Sequence, residues 1–284
     1  VHVTIRALVI GPVLAAAAAA SPQSDADAGN RLAAAVGDAV QAYLSVARSI
    51  VTREEVRLQP LTEALSDTGP ARRFTYESRV EWEPGTDGLA REATVHRELR
   101  QIDGRRPRPA ELDGCLPPTW TDPLAFLLPG ERAKYEFRAP PGERGRRERV
   151  LEYAPRAPGT PSLQWRGDCG SIELPGILRG RLVVDADTFA AVRLEQRLDR
   201  MVRVPVPPED RKQGWGDTMV VERLDVTIRY AAVQFRNPDE RVTLPVEMRR
   251  VVLVRTPQAR ALRVEQRYSD HRRFVTSVRV GPAR

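Results

Sequence analysis

The residues able to do chemistry are few and scattered. Beyond the first twenty positions the histidines are His96 and His271, each set among charged neighbours. Two isolated histidines make a poor metal centre, because a zinc site gathers three or four ligands. Ser269-Asp270-His271 contains the residue types of a hydrolytic triad, but adjacent residues seldom reach triad geometry, which the fold normally assembles from distant positions. No Gly-x-Ser-x-Gly elbow and no phosphate-cradling glycine loop occurs. Asp185 and Asp187 could offer two carboxylates to a cation; at a turn between strands Asp is expected instead to accept from nearby backbone amides. Glu54 and Glu55 fall on opposite faces of a strand, which argues against a paired acid and base. Trp82, Trp120, Trp165 and Trp215 could stack on a ligand, although packing is the commoner use of such rings. This set predicts a protein that is not an enzyme, with no cofactor and no metal.

Two features speak to the compartment. Val1–Arg6 is short and basic, and Ala7–Ala20 is apolar and ends in six alanines before Ser21-Pro22-Gln23-Ser24. These are the parts of a secretory signal peptide, expected to be cleaved near Ala20, and the run is short for a membrane span, which needs about 20 apolar residues. The expected location is periplasmic or secreted, with no transmembrane segment in the mature chain. Cys115 and Cys169 are the two cysteines. In an oxidising compartment an even pair predicts one disulfide, and a loop of this length is worth about 4 kcal/mol in the chain-entropy model. Two reduced thiols are the alternative.

The net charge of +7 comes almost wholly from arginine, since the lysines are Lys134 and Lys212. Arg and Glu interleave along the strands rather than forming a one-sided basic block, so no nucleic-acid partner is expected.

The elements that must carry these residues are mostly strands. Leu224, Val226, Ile228 and Tyr230 alternate with Arg223, Asp225, Thr227 and Arg229, and the same parity extends back to Val220 and Glu222. Similar alternation recurs at Val192–Leu198, Leu244–Val254, Leu262–Tyr268 and Phe74–Trp82. A period of two places one set in a core and the other in water, as in antiparallel meanders with one solvated face. Leu32, Val36, Val40, Tyr43, Leu44, Ala47 and Ile50 recur at threes and fours, the stripe of an amphipathic helix. Its polar face carries only Arg31 and Arg48 as cations, which disfavours a membrane-surface role. Prolines crowd residues 105–130, where Asp122 and Pro123 predict the start of a short helix through Leu128. Residues 203–217 read as the longest exposed loop. The expected organisation is a signal peptide over 1–20, a disordered leader over 21–30, and a single β-rich domain over 31–284.

Gly180-Arg181-Leu182-Val183-Val184-Asp185-Ala186-Asp187-Thr188-Phe189-Ala190-Ala191-Val192-Arg193-Leu194-Glu195 forms a strand, an Asp turn and a returning strand. With the signal peptide and the N-terminal helix, it resembles the LolA/LolB-like lipoprotein-carrier fold. Tyr268-Ser269-Asp270-His271-Arg272-Arg273-Phe274 and Leu244-Pro245-Val246-Glu247-Met248 are also similar to uncharacterised secreted bacterial proteins of the Acidobacteria type. The carrier resemblance implies an apolar cavity under a helical lid, with a lipid or a lipoprotein acyl chain as partner.

The expected fold is therefore mainly β (α+β): a curved antiparallel sheet or half-barrel, with an N-terminal helix and a helical insertion on the concave face. Its expected function is non-enzymatic binding of an apolar ligand, an acyl chain or lipid, in that concavity. The expected ligand-facing residues are Leu124, Phe126 and Leu127 of the insertion, Trp82, and Leu224, Val226 and Ile228. The alternative is an envelope structural or interaction module with a filled core and an envelope protein partner. A hydrolase is the third reading, and it needs polar groups gathered in a cleft.

Overall fold

One parity of the alternating stretches supplies buried residues such as Leu194, Leu224, Val226, Ile228, Leu244, Met248, Val264, Phe74 and Tyr76, and the strands assemble to make that possible. The computed structural model describes residues 22–47, 50–84, 90–112, 116, 123–140, 147–166, 169–208, 211, 216–236, 239–256 and 259–273. Side chains at 22–24, 44–47, 80–84, 90–94, 165–166, 169 and 259 lie outside that description. Helix α1 (Pro22–Ala47) leads into β1 (Ile50–Leu61), β2 (Arg72–Pro84) and β3 (Ala90–Ile102). A short α2 (Pro109–Leu112), a 3₁₀ turn at Ala125–Leu127 and α3 (Pro129–Arg132) follow. The remaining strands are β4 (Tyr135–Arg138), β5 (Glu148–Pro155), β6 (Ser162–Arg166), β7 (Cys169–Glu173), β8 (Leu178–Asp185), β9 (Ala191–Leu198), β10 (Val202–Pro205), β11 (Thr218–Arg236), β12 (Asp239–Arg255) and β13 (Ala259–Arg273).

The main sheet has eleven strands in the order β3-β2-β1-β13-β12-β11-β9-β8-β5-β4, with β10 paired to β11. All its pairings are antiparallel. β6 and β7 form a separate hairpin. The path ends at β3 and β4, so the sheet is curved but unclosed. Register shifts at Val51/Arg53, Val221/Arg223 and Arg229/Tyr230 bend the long strands, since a bulge adds local twist.

One registered row shows how continuous the inner face is. Leu151, Leu182, Leu194, Ile228, Met248, Gln266, Val56, Phe74 and Ile102 are consecutive partners across β5-β8-β9-β11-β12-β13-β1-β2-β3. All are buried, and Gln266 is the one polar member. The outer face is solvated, laced by cross-strand pairs such as Arg181–Glu195 at 2.6 Å, Arg229–Glu247 at 3.2 Å and Arg255–Glu222 at 2.6 Å. Exposed pairs of this kind contribute only about 0–1 kcal/mol each.

The inner face is covered by α1 and the turn after it in space. Leu32, Ala33, Val36 and Val40 of α1 share one buried cluster with Leu124, Phe126, Leu127 and Leu128 and with the inner side chains of β4, β5, β8, β9, β11 and β12. Close approach depends on two glycines. A Cβ on Gly29 would lie 2.6 Å from the Arg138 backbone, and one on Gly37 would lie 2.6 Å from the Leu127 carbonyl oxygen. At the helix start, the Ala139 N–H donates to the Asp25 carbonyl at 3.2 Å. From β4, α1 crosses the opening and also packs on β2, β3 and β12.

Four expectations change in detail. The segment expected as a disordered leader, 21–30, is helical from Pro22 onward; Gly29 ties it to β4, a contact invisible in local composition. The helical insertion is a 3₁₀ turn and the four-residue α3, whose N-cap Leu128 makes no side-chain cap bond; the expected cap Asp122 lies outside the described residues. The loop expected over 203–217 begins as β10, where Val204 is fully buried against β11. In β11 the bulge moves the inward positions to Met219 and Val221, so Val220 and Glu222 leave the inner parity set by Leu224.

Candidate functional site

The structure gathers most of the expected ligand-facing residues. Leu124, Phe126, Leu127, Leu224, Val226 and Ile228 all belong to the large buried cluster, and Leu127 has no exposed surface. Phe126 stacks on Tyr153 with ring centroids 4.1 Å apart and meets Tyr135 at 5.3 Å, which pins the turn to β4 and β5. Trp82 is paired with Ala93 in the β2–β3 hairpin; its side chain lies outside the described residues. The expected disulfide lies there too: Cys115 is not described, and Cys169 is described only as the first backbone position of β7, paired with Arg166. That places Cys169 at a hairpin end rather than within a loop.

The other chemical candidates separate. His96 is exposed on β3, and His271 is half-buried on β13, where burial lowers its pKa against the opposing effect of Asp270. Asp185 Oδ1 accepts from the Thr188 N–H at 2.8 Å, the Thr188 hydroxyl at 2.8 Å and the Asp187 N–H at 3.1 Å. Those bonds, the Thr188 amide first, lower its pKa, and they match the turn role expected of it. Among the described residues no three His, Cys, Asp or Glu side chains converge to hold a metal.

A different constellation does converge, on the inner face. Glu54 is buried on β1 while Glu55 is exposed on the opposite face. The Glu54 carboxylate accepts from Ser78 Oγ at 2.6 Å, from Arg97 Nε at 2.8 Å and Nη2, and from Gln266 Nε2 at 2.7 Å. The side chains of Arg97 and Glu54 are only 7% and 3% exposed. The Arg97 guanidinium lies 4.2 Å from the centre of the Tyr76 ring. Burial raises the Tyr76 pKa to about 12, with Arg97 lowering it and Glu54 raising it to smaller extents. Its hydroxyl is buried and has no hydrogen-bond partner among the described residues.

The cluster continues across β13 and β12. Burial raises the Tyr268 pKa, reinforced by Glu54 and opposed by Arg97 and Arg250. Burial first, and the like charge of Arg97 second, lower the pKa of Arg250. Arg250 thus lies close enough to Arg97 and Tyr268 to join the cluster on this face. Along β1 the cluster separates Ile50, in the large core, from Val56, in a smaller core with Phe74, Tyr76, Ile102 and Val264.

This site was missed in the sequence because each member looks like a lapse in an apolar parity. Ser78 stands between Tyr76 and Val80, Arg97 between Val95 and Leu99, and Gln266 between Val264 and Tyr268. Arg250 stands between Met248 and Val252. Polar residues at inward positions were the available signal. Tyr268, the first residue of the Tyr-Ser-Asp-His-Arg-Arg-Phe ending, joins the site, whereas the sequence had pointed to Leu124, Phe126 and Leu127 of the insertion.

Two grooves lie against the outer side of the sheet. One, of about 850 Å³, runs along β4, β5, β8, β9 and β11 and is lined by Glu136, Arg138, Glu152, Arg181, Glu195 and Asp225 among others. The second, of about 620 Å³, includes Arg53, Glu77, Arg100, His271 and Arg272. Their charges are largely engaged, as in Arg181–Glu195 at 2.6 Å and Arg272–Glu77 at 3.1 Å. Among the described residues no helix is long and apolar enough to cross a membrane.

No family model matches the sequence. No curated protein matches it either. Among solved structures the chain is similar to a DUF1329 family protein from Desulfovibrio piger, at 11% identity and a TM-score of 0.41, over 89% of this chain and 95% of that one.

Proposed function

We propose that this is a periplasmic or secreted, non-enzymatic protein that holds an apolar ligand, the acyl chain of a lipid or lipoprotein, against the inner face of its curved sheet. One observation carries the reading. The inner face is apolar across β4, β5, β8, β9, β11 and β12 of an unclosed sheet, and its cover is α1 with the Leu124–Leu128 turn rather than a second sheet. Side-chain packing is the main attachment of that cover, supplemented by the Asp25–Ala139 backbone bond. Such a cover can shift without breaking the strand ladder, and a chain of methylenes gains about 0.8 kcal/mol per buried CH₂.

Native mass spectrometry of the protein taken from an envelope extract tests this directly. A bound species of lipid mass, and uptake of a fluorescent acyl probe after its removal, are expected. A protein that emerges without lipid and takes up no probe favours the second reading, an envelope interaction module. That reading draws on the tight packing of Phe126, Leu127 and Leu128 and expects a co-purifying protein partner. Compartment is tested separately: the secreted chain should begin just after Ala20, and Cys115 and Cys169 should resist alkylation until reduced. Two freely labelled thiols would refute the disulfide.

A further inference from the structure

The outer face of the sheet carries a patch of arginines near its centre. Arg193 and Arg197 of β9, Arg229 of β11, Arg249 of β12 and Arg267 of β13 are all exposed there. Acids stand among them, but each is already engaged. Glu195 pairs with Arg181 at 2.6 Å and Arg193 at 3.0 Å, and Glu247 with Arg229 at 3.2 Å. Glu265 pairs with Arg57 at 3.2 Å and Arg263 at 3.3 Å, and Asp225 with Arg223. Arg197, Arg249 and Arg267 make no ion pair with a described residue, and the side chains of β9, β11 and β12, and of β13 after Ala259, are all described. Strand pairing adds a cost. Arg193 is the direct partner of Arg229, and Arg197 of Arg179, and like charges placed directly opposite destabilise a sheet. An anionic partner relieves that repulsion.

We propose that this face docks on an anionic membrane surface, with Arg197, Arg249 and Arg267 taking the phosphates of lipid headgroups. The inference concerns the face opposite the acyl-chain site and stands or falls apart from it. Three features favour this partner. The arginines spread over β13, β12, β11 and β9, which are neighbours in the sheet, and such a two-dimensional array matches a field of headgroups rather than a line of phosphates. The outer side of a curved sheet is convex, so it would meet a nucleic-acid duplex, another convex body, along a narrow strip, whereas mobile headgroups conform to it. The outward positions of the patch carry no aromatic ring on which the bases of a single strand could stack. The residue type fits as well, because the planar N–H fork of a guanidinium engages two phosphate oxygens at once. Beside the patch, the groove of about 850 Å³ lined by Arg138, Arg179, Arg181 and Arg197 among others has room for a headgroup.

Flotation of the delipidated full chain with phosphatidylcholine vesicles, with and without phosphatidylglycerol, tests the docking. The native protein should bind the vesicles that contain phosphatidylglycerol and not the others, and added salt should release it, since exposed charges are screened. An arginine near an anionic surface contributes about fivefold to partitioning, so Arg249→Gln combined with Arg267→Gln should weaken binding about twenty-fivefold. Both side chains are exposed, so the fold should survive; Arg197→Gln, with a loss of about fivefold, serves if the double variant does not fold. Removing the same charge elsewhere, with Arg106→Gln and Arg108→Gln beside α2, should change binding less than about twofold. Equal losses from the two double variants would mean that net charge alone is acting, and would overturn the patch. A native protein that binds both kinds of vesicle alike, or neither, overturns the membrane assignment. So does tighter binding of a duplex oligonucleotide than of the anionic vesicles at the same salt. Uptake of an acyl probe is read separately, so none of these results decides the acyl-chain reading.

Discussion

Glu54→Gln is the sharpest probe of the buried cluster. The substitution keeps the side chain's size and removes its charge. In the native protein both carboxylate oxygens are engaged, Oε2 by Ser78 and Arg97 Nε and Oε1 by Gln266 and Arg97 Nη2. A glutamine offers one oxygen and turns an NH₂ toward two of those donors. Arg97 would then stay buried after losing the charge of Glu54, with Arg250 nearby. Breaking a buried pair in this way costs about 3–5 kcal/mol, a large share of the roughly 5–15 kcal/mol that stabilises a typical domain. For a chain of this size that is a fall in Tm of about 6–20 °C. Urea unfolding followed by circular dichroism should show a lower midpoint with an unchanged slope. Two comparisons isolate the cause. Glu195→Gln, whose partner Arg181 is exposed on the outer face, should cost about 0–1 kcal/mol. The double change Glu54→Leu with Arg97→Met should recover most of the loss, because it removes both charges together. If Glu54→Gln is as mild as Glu195→Gln, or the double variant is worse than the single, the account of the cluster as a costly buried network is wrong.

Three further outcomes test the cover and the cluster. Gly29→Ala places a Cβ 2.6 Å from the Arg138 backbone, so α1 must lift from β4; a loss of about 1–3 kcal/mol is expected, with more binding of an apolar dye, whereas Gly130→Ala, which meets nothing within 4 Å, should change neither. Leu127→Ala empties a fully buried position and should cost about 2–5 kcal/mol by chemical denaturation; a loss near zero would mean that the turn does not seal the core. Alkaline titration should expose Tyr76: the unfolded chain releases this proton near pH 10, whereas the folded chain holds it to about 12. Its contribution is therefore complete below pH 10 and lost as pH rises through that window, and Tyr76→Phe should flatten the fall in stability measured there.

Much of the architecture was legible because parity is a local property. Each of Leu224, Val226 and Ile228 declares its face through its immediate neighbours, and so do Leu32, Val36 and Val40 on their helix. That was enough to infer a one-sided antiparallel sheet, a covering helix and solvated outer arginines. Bulges escaped it: the shift at Val221/Arg223 exchanges which of Val220 and Val221 is buried, and nothing in the alternation marks the break. The start of α1 escaped it as well, since Gly29 is held by a strand more than a hundred residues away.

The buried cluster depended on tertiary structure altogether. Glu54 and Gln266 are 212 positions apart and still share a hydrogen bond, because β1 pairs with β13 in one particular register. The sequence by itself determined that Ser78, Arg97, Arg250 and Gln266 each interrupt an apolar face. Only the pairing of β3, β2, β1, β13 and β12 decided that those interruptions meet, so that what would be separate costs on separate strands becomes one charged site inside the sheet.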